Sequence, residues 1–401
     1  MKEVTFIHTA DLHLDSPFLG IRNMPGEVVH RLREATFTAF KKTVDAAILL
    51  KVDFMVIAGD LYDGENRSIR AQVRFRNEME RLAGHGIGAY IIHGNHDHLT
   101  GSWVKLHFPG NVHLFSGEYE RKVFKSRAGA IVHLYGFSYP HRHVVDRMAV
   151  RYVKQAGADF HIALYHGSLE GSTGHGQYAP FSLGELLEKD MDYWALGHIH
   201  KRQELHEFPA VVYPGNIQGR HRKEEGVKGC YYVRMSENLI EKEFIETSDI
   251  IWDKLKLESA GDASFDSLLR LCEEGIQAGA KEGCGVLLSI EIEIGSGGRH
   301  TASFAADLLS VLQENPLDED FIWPYELKLV EEAQASAAPS NPFLKELAGL
   351  KGGPETQDAL DALFKHPHAR KFLDELEEGE LREIQDNSLN MVLSLLQGGL
   401  K

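Results

Sequence analysis

The sequence predicts an α/β protein with a smaller α/β unit behind its first domain and a helical region at its end. Three observations predict this architecture. Through residues 1–248, short apolar runs alternate with segments of helical periodicity. Residues 249–332 repeat the alternation on a smaller scale. Residues 333–342 are rich in Ala, Ser and Pro, which is typical of a linker, and residues 343–401 have helical periodicity throughout.

The first domain contains apolar runs of strand length and two long segments of helical periodicity. Ser182 and Glu185 are spaced as in a capping box, which predicts a short helix at that point. The predicted strands are Val4–Ile7, Phe54–Ala58, Ala89–Ile92, Ile131–Tyr135, Ile162–Tyr165, Tyr193–Leu196 and Val211–Tyr213, and the predicted long helices are Val28–Lys51 and Arg67–Leu82.

The second unit is predicted to run strand, helix, strand, helix, strand. Its predicted elements are Ile250–Leu257, Ser264–Ala278, Gly285–Ile294, Thr301–Leu312 and Tyr325–Val330. In the C-terminal region, Leu389, Val392, Leu393 and Leu396 recur at helical spacing. That apolar face either docks on a partner or folds back on the protein's own core, and the pattern leaves both alternatives open.

Charge and histidine are unevenly distributed along the chain. Residues 1–250 hold 31 acidic and 30 basic side chains, whereas residues 251–401 hold 28 acidic and 13 basic ones. Nearly all of the net charge of −16 therefore lies in the second part, while 19 of the 22 histidines lie in the first. We expect the chemistry in the first part, and a solvated or protein-contact surface in the acidic remainder.

Composition also indicates the compartment. The three cysteines are too few and too irregularly spaced for a disulfide framework or a zinc knuckle, so we expect a reducing, cytoplasmic environment. The N-terminal residues lead directly into a strand pattern, and no apolar stretch approaches the length of a membrane span. We therefore expect no targeting segment and no membrane partner.

Five polar motifs follow apolar runs, at the strand ends where α/β folds gather catalytic groups. Their oxygen and nitrogen atoms, with no thiolate, suit two metal ions and the hydrolysis of phosphate esters. The motifs are Asp11-Leu12-His13, Gly59-Asp60, Gly94-Asn95-His96-Asp97, Tyr165-His166-Gly167 and Gly197-His198-Ile199-His200.

The motifs also suggest roles. Two cations about 3.5–4 Å apart need a shared anionic ligand, and Asp60 is the natural bridging carboxylate. A hydroxide that bridges the metals can attack phosphorus in line. His96 is the candidate proton donor to the leaving oxygen, and Asp97 is predicted to orient it.

The ordered motif set resembles the calcineurin-like metallophosphoesterases over residues 1 to about 220. Gly59-Asp60-Leu61-Tyr62-Asp63 resembles the SbcD-like DNA-repair nucleases, and Pro214–His221 is most similar to YhaO-type exonucleases. The resemblance implies a β-sandwich flanked by helices, a small α/β cap domain over residues 249–332 and C-terminal helices. It also implies that Asp11, His13 and His200 hold one metal, that Asn95, His166 and His198 hold the other, and that Asp60 bridges two Mn²⁺ ions.

Substrate contacts are less specific in the sequence. The substrate role of Asp63 is open, because related nucleases differ at this position. Arg67 begins an arginine run that contacts the DNA backbone, forms a solvated face paired with carboxylates, or makes a subunit contact. Arg220 and His221 belong to a second basic cluster, which is either a phosphate contact or an ordinary loop.

The motifs together with this resemblance predict a cytoplasmic, manganese-dependent DNA exonuclease of repair, with hydrolysis of nucleotides or other small phosphate esters as the alternative. The resemblance implies DNA as a partner, docking of the C-terminal helices on a coiled-coil ATPase subunit of the SMC or SbcC type, and a homodimer.

Overall fold

The computed structural model divides the chain into two units, Met1–Val330 and Glu331–Lys401. Of the second unit it describes Glu331, Ile384 and Ser388, so the predicted linker and all but two residues of the predicted C-terminal helical region lie outside the described residues. The described residues are 2–18, 24–64, 67–101, 103–104, 106–171, 178–237, 239–259, 263–279, 281, 283–295, 302–314, 320–331, 384 and 388.

Strands and helices alternate through the first unit, which confirms the predicted α/β class. The strands are β1 Glu3–Thr9, β2 Phe54–Ala58, β3 Gly88–Ile92, β4 Val112–Leu114, β5 Glu120–Lys125, β6 Ile131–Gly136, β7 Phe160–His166, β8 Tyr193–Gly197, β9 Gln203–His206, β10 Ala210–Tyr213, β11 Gly229–Ser236, β12 Leu239–Glu246, β13 Ile250–Glu258, β14 Gly285–Ile294 and β15 Ile322–Glu331. The helices are α1 Gly26–Leu49, α2 Ile69–Gly84, α3 Leu183–Leu187, α4 Phe265–Ala278 and α5 Ala302–Leu312.

The strands form two six-stranded sheets and one three-stranded sheet. The first sheet has the order β12-β11-β1-β2-β3-β4, the second β5-β6-β7-β8-β10-β9, and the third β13-β14-β15. Strands β1 to β4 are parallel, as are β6, β7, β8 and β10. Each large sheet therefore presents the carboxyl ends of several neighbouring strands at one edge.

The central strands of the two large sheets are buried on both faces, which explains their continuous apolar runs. In β2, Phe54 and Val56 belong to a cluster that also contains Ile162 and Leu164 of β7, so this core lies between the sheets. The alternate residues of β2 face a second core, built with α1 and α2. Because side chains alternate along a strand, one short run serves both layers.

Helix α2 begins at Ile69, two residues later than predicted, because the Ser68 side chain caps it by accepting a hydrogen bond from the Ala71 N–H. The predicted capping box is confirmed: Ser182 accepts from the Glu185 N–H while the Glu185 carboxylate accepts from the Ser182 N–H. Sequence patterns missed β4, β5, β9 and the β11–β12 hairpin. Strands β4, β5, β9 and β12 are short or carry charged residues on one face, so they lack the apolar runs that mark the central strands.

The third sheet with α4 and α5 has the elements predicted for residues 249–332, whereas a domain boundary at 248/249 stays a prediction. One of its faces packs on the start of α1: Trp252 and Trp323 share a buried cluster with Val28 and Leu32. Buried Gln218 holds the first strand in place. Its amide donates to the Ile250 carbonyl (2.6 Å) and its oxygen accepts from the Asp249 N–H (2.8 Å).

No helix within the described residues is long and apolar enough to cross a membrane.

Candidate metal centre

The structure brings the polar motifs together at the carboxyl edge of the two large sheets. Asp11 and His13 follow β1, Asp60 follows β2, Asn95 follows β3, His166 ends β7, and His198 and His200 follow β8. All of these residues are buried except His200, which is half-buried. Seven candidate ligands that lie far apart in sequence therefore share one site.

Several of these residues have left-handed backbone conformations. The φ angles are +51° at Asp11, +41° at His13, +50° at Asp60 and +99° at His198. Such conformations cost about 1–3 kcal/mol each and cluster at functional sites. Backbone hydrogen bonds connect the turns that follow β1 and β2. The Asp11 N–H donates to the Gly59 carbonyl oxygen, and the His13 N–H donates to the Asp60 carbonyl oxygen.

One group of ligand atoms converges around His13. Its Nε2 lies 3.1 Å from Nε2 of His200. Asp11, His13 and His200 each offer one atom within a cluster no wider than 4.8 Å. Both Asp11 oxygens also accept from the His198 N–H, at 3.0 and 3.1 Å. Two imidazole nitrogens and a carboxylate that meet at one point suit a transition-metal ion or zinc.

The second group centres on Asn95. Its Oδ1 lies 3.0 Å from His166 Nε2 and 3.2 Å from His198 Nδ1. His166 Nδ1 lies 2.9 Å from the carbonyl oxygen of Ala58, which can only accept, so Nδ1 carries a hydrogen. In neutral His166, Nε2 therefore presents a lone pair to an amide oxygen. Opposed lone pairs at this distance call for a positive charge between them.

Asp60 lies between the two groups. Its Oδ2 is 3.7 Å from His13 Nε2 and 3.4 Å from His166 Nε2. Burial acts to raise the pKa of Asp60, but the neighbouring His166, His96 and His13 outweigh it and hold that pKa well below its usual value. The carboxylate is therefore anionic and central, as a bridging ligand must be.

The electrostatics of the protein without metal agree with a cation site. Burial alone would lower the pKa of His166, but Asp60 and Asp11 raise it to about 9. Burial raises the pKa of Asp11 to about 6. A proton on His166 thus supplies the positive charge that these buried carboxylates attract. The donor set fits divalent metals in both groups.

Glycines make the close packing possible. A Cβ on Gly94 would lie 2.2 Å from Asp60 Oδ1 and 2.6 Å from His166 Nε2. A Cβ on Gly59, where φ is +95°, would lie 2.3 Å from His166 Nδ1. The two motif glycines therefore leave the space that the ligand atoms occupy.

His96 lies at the exposed side of the site, and Asp97 does not orient it. The Asp97 carboxylate accepts from the N–H groups of Leu61 (3.0 Å) and Gly94 (2.7 Å), and it lies 2.9 Å from His93 Nδ1. The predicted Asp97–His96 pairing is therefore wrong. Asp97 is a positioning residue that fixes the turns after β2 and β3.

Asp63 faces His96 instead. Asp63 Oδ1 lies 3.7 Å from His96 Nδ1 and 3.4 Å from His13 Nδ1. Asp63 also accepts hydrogen bonds from Ser16 (3.2 Å) and Arg220 (3.0 Å). Despite burial, its interaction with His13, Arg220 and His96 holds its pKa well below the usual value. The structure thus places Asp63 among the site's own residues rather than at an open substrate surface.

The predicted substrate contact at Arg67 is wrong. Arg67 is buried, its guanidinium donates to the carbonyl oxygens of Asp97 and His98, and its Cζ lies 3.5 Å from the centre of the Trp103 ring. Arg67 therefore braces the loop that carries His96.

The rest of the arginine run is paired with carboxylates, in agreement with the solvated-face alternative. Arg70 and Arg74 bind Glu34, Arg76 binds Glu80, and Arg81 binds Asp45 and Glu78.

The second basic cluster does adjoin the site. Arg220 is mostly buried and its Nη2 lies 3.5 Å from His200 Nδ1. His221 is more exposed, and its Nε2 lies 3.4 Å from Glu224 Oε1. Glu224 itself, 2.6 Å from His200 Nδ1, was missed in the sequence. Neither spacing nor a neighbouring apolar run distinguishes it from the adjacent Glu225.

Comparison with known proteins gives a family match, two similar curated proteins and one aligned structure. A family model for calcineurin-like phosphoesterases matches residues 4–202. The metallophosphoesterase YhaO of Bacillus subtilis (strain 168) is 39% identical over 395 residues, which cover 97% of this chain and 97% of that protein. The DNA double-strand break repair protein Mre11 of Methanopyrus kandleri is 25% identical over 303 residues, which cover 67% of this chain and 62% of that protein. Among solved structures, a dimetal phosphatase from Danio rerio aligns with a TM-score of 0.36 and 11% identity, over 61% of this chain and 98% of that one.

Proposed function

We propose a function from one premise: the chain belongs to the calcineurin-like metallophosphoesterases, as its family match and its 39% identity to YhaO establish. In our proposal it is a two-metal exonuclease that hydrolyses phosphodiester bonds of DNA in repair. The observation that carries the proposal is the convergence of two ligand groups on Asp60, with His96 on the exposed side. The similarity to Mre11 proteins supports DNA as the substrate class.

We assign Asp11, His13 and His200 to one ion and Asn95, His166 and His198 to the other, with Asp60 shared. Two divalent cations at these residues, Mn²⁺ in our proposal, would lower the pKa of a bound water and offset charge on the phosphate. The buried ligands and their fixed turns set the geometry in advance, so little reorganisation is needed during reaction.

His96 is the proposed proton donor to the leaving oxygen. About one third of its side chain is exposed, so a substrate can reach it. Its Nδ1 side faces Asp63 at 3.7 Å, which leaves Nε2 as the ring nitrogen available to the substrate. The His96 N–H donates to Asp60 Oδ1 (3.0 Å), and this bond fixes the backbone of His96 to the shared ligand.

A second candidate function is hydrolysis of nucleotides or other small phosphate esters. One observation favours it: the arginines of α2 pair with carboxylates and Arg67 is buried, so this helix offers less free positive charge to a DNA backbone than its sequence suggests. The same metal centre serves either substrate.

We extend the proposal to the surroundings of the enzyme. The free state of Cys230, Cys272 and Cys284 supports a reducing, cytoplasmic location. Docking on a coiled-coil ATPase subunit stays a prediction, since the C-terminal region lies outside the described residues apart from Ile384 and Ser388. Formation of a homodimer also stays a prediction.

The proposal is tested with end-labelled linear DNA. Metal-stripped protein, resupplied with Mn²⁺, is expected to shorten the DNA, and product lengths give the polarity. Asp60→Ala should abolish shortening, whereas Asp266→Ala, an exposed aspartate in the first turn of α4, should not. A parallel panel of nucleotides and a small phosphodiester separates the two candidates: hydrolysis of these alone, with DNA left intact, would replace the exonuclease by the second.

A further inference from the structure

Glu224 is a buried carboxylate beside the metal centre to which the proposed function gives no role. It lies between β10 and β11 and is 6% exposed. A carboxylate at such a position is costly unless its oxygens find partners. Its contacts therefore indicate what it does.

The first oxygen selects the tautomer of neutral His200. Oε1 lies 2.6 Å from His200 Nδ1. Because an ionised carboxylate can only accept, Nδ1 carries the hydrogen and Nε2 keeps its lone pair. That lone pair points into the site, where Nε2 of His13 lies 3.1 Å away.

The second oxygen fixes the carboxylate itself. Oε2 accepts from the side-chain amide of Asn216 (2.9 Å) and from the Arg220 N–H (2.7 Å). These contacts suit an ionised carboxylate, because both partners of Oε2 donate to it and His200 Nδ1 can donate to Oε1. The carboxylate is thus ionised, and both of its oxygens have hydrogen-bond partners.

We infer that Glu224 is a positioning residue that holds His200 in the tautomer and orientation needed to ligate a metal through Nε2. The inference rests on the proposed function, since it takes His200 as a metal ligand. Carboxylates that accept from the outer nitrogen of a ligating histidine raise its basicity, and their loss typically weakens metal affinity about 10–100-fold.

A glutamine at this position cannot satisfy both sides. If its oxygen faces Asn216 and Arg220, its amide N–H₂ group faces His200 Nδ1 and favours the tautomer with the proton on Nε2. If the amide is turned round, two donors face the donors of Asn216 and Arg220. Glu224→Gln therefore tests the charge and the tautomer while nearly keeping the volume.

The experiment titrates Mn²⁺ into the metal-stripped full chain by calorimetry. For Glu224→Gln we expect one of the two ions to bind about 10–100-fold more weakly. The Mn²⁺ concentration for half-maximal phosphoesterase activity should rise by the same factor. Glu225→Gln is the matched control, because Glu225 is adjacent and exposed, and it should bind both ions as wild type does.

Unchanged affinity in folded Glu224→Gln would overturn the inference. Thermal melting of the metal-free proteins shows whether the variant is folded. If it is not folded, Glu224→Asp is used instead, because it keeps the charge but withdraws the carboxylate from His200 by one methylene. Wild-type Mn²⁺ affinity in that variant would equally overturn the inference. Wild-type protein that binds two Mn²⁺ ions but hydrolyses no DNA would refute the proposed substrate and leave the role of Glu224 standing. Wild-type protein that binds no Mn²⁺ would refute both.

Discussion

The sheet edge at the metal centre differs from the third sheet in its backbone conformations and in its buried polar residues. At the edge, Asp11, His13, Asp60 and His198 have left-handed backbones, and buried carboxylates and imidazoles crowd together. In the described residues 250–331, one residue has a positive φ, Gly283, and one buried residue is polar, Ser289. Strands β13 and β14 pair in register without a bulge.

The difference shows where this fold tolerates backbone strain and buried charge. Left-handed backbones and buried charge are concentrated around Asp60, whereas the core of the third sheet is mainly apolar. Substitutions at the edge should therefore change chemistry, and substitutions in the third sheet should change stability.

Two matched glycines give the largest expected contrast. In Gly94→Ala the new Cβ would lie 2.2 Å from Asp60 Oδ1, so the shared ligand must move, and we expect activity to fall at least about 100-fold. Gly295, at the end of β14, has no atom within 4 Å of the corresponding position. Gly295→Ala should keep wild-type activity and change the free energy of unfolding by less than about 0.5 kcal/mol. Comparable losses in the two variants, in hydrolysis and melting assays, would remove the contrast.

Removing the proposed proton donor should separate turnover from metal binding. We expect His96→Ala to lower turnover about 10²–10⁴-fold, because a positioned acid contributes that much, while both Mn²⁺ ions still bind. His85→Ala, at an exposed position after α2, should behave as wild type. The measurement is hydrolysis at saturating Mn²⁺ together with metal analysis, and full activity without His96 would contradict its role.

A cavity in the third sheet's core should have the opposite effect. Leu268 of α4 is fully buried, so Leu268→Ala should lower the free energy of unfolding by about 2–5 kcal/mol. Mn²⁺ affinity of the folded protein should be unchanged. Denaturant melts measure the first quantity and calorimetry the second; weakened metal binding would show that the two regions are not independent. The exposed Leu239 supplies the control, Leu239→Ala.

The smallest expected effect is a pH dependence that belongs to the core of the large sheets. His8 donates from Nε2 to Leu196 O and accepts at Nδ1 from the Tyr193 hydroxyl, so it is neutral. Burial lowers its pKa from 6.5 to about 3. Below pH 6.5 the unfolded chain binds a proton that the folded protein excludes, so stability falls as pH falls, by about 1.4 kcal/mol per pH unit from this group. His8→Gln should flatten the curve between pH 6 and 4; an identical slope would contradict this account.

Sequence patterns predicted the regular parts well. The bounds of β2 and β14 agree to the residue, because β2 is a buried apolar run and the second half of β14 alternates between isoleucine and polar residues. The strand-end motifs also predicted which side chains would meet, since parallel neighbours place their carboxyl ends together. Edge strands such as β5 were missed because their alternation of charged and apolar residues also occurs in many loops.

The partners within the site could not be predicted. Adjacency in sequence suggested that Asp97 serves His96, but successive residues in a tight turn point in different directions, and Asp97 pairs with His93. Likewise, charge alone did not distinguish buried Arg67 from the exposed arginines that follow it, nor Glu224 from Glu225. Pairing and burial depend on contacts between distant segments, which periodicity does not encode.

The hydrogen bonds from Gln218 to the backbone of Asp249 and Ile250 have a practical consequence for truncation experiments. In a chain truncated after residue 248, Gln218 would lose its hydrogen-bond partners at Asp249 and Ile250. The apolar start of α1, at Val28 and Leu32, would become exposed. Gln218 lies only six residues before Glu224, so the damage would reach the loop beside His200. A truncated protein that loses activity would therefore not prove that the third sheet binds substrate. Point substitutions on its solvent face are the informative experiment.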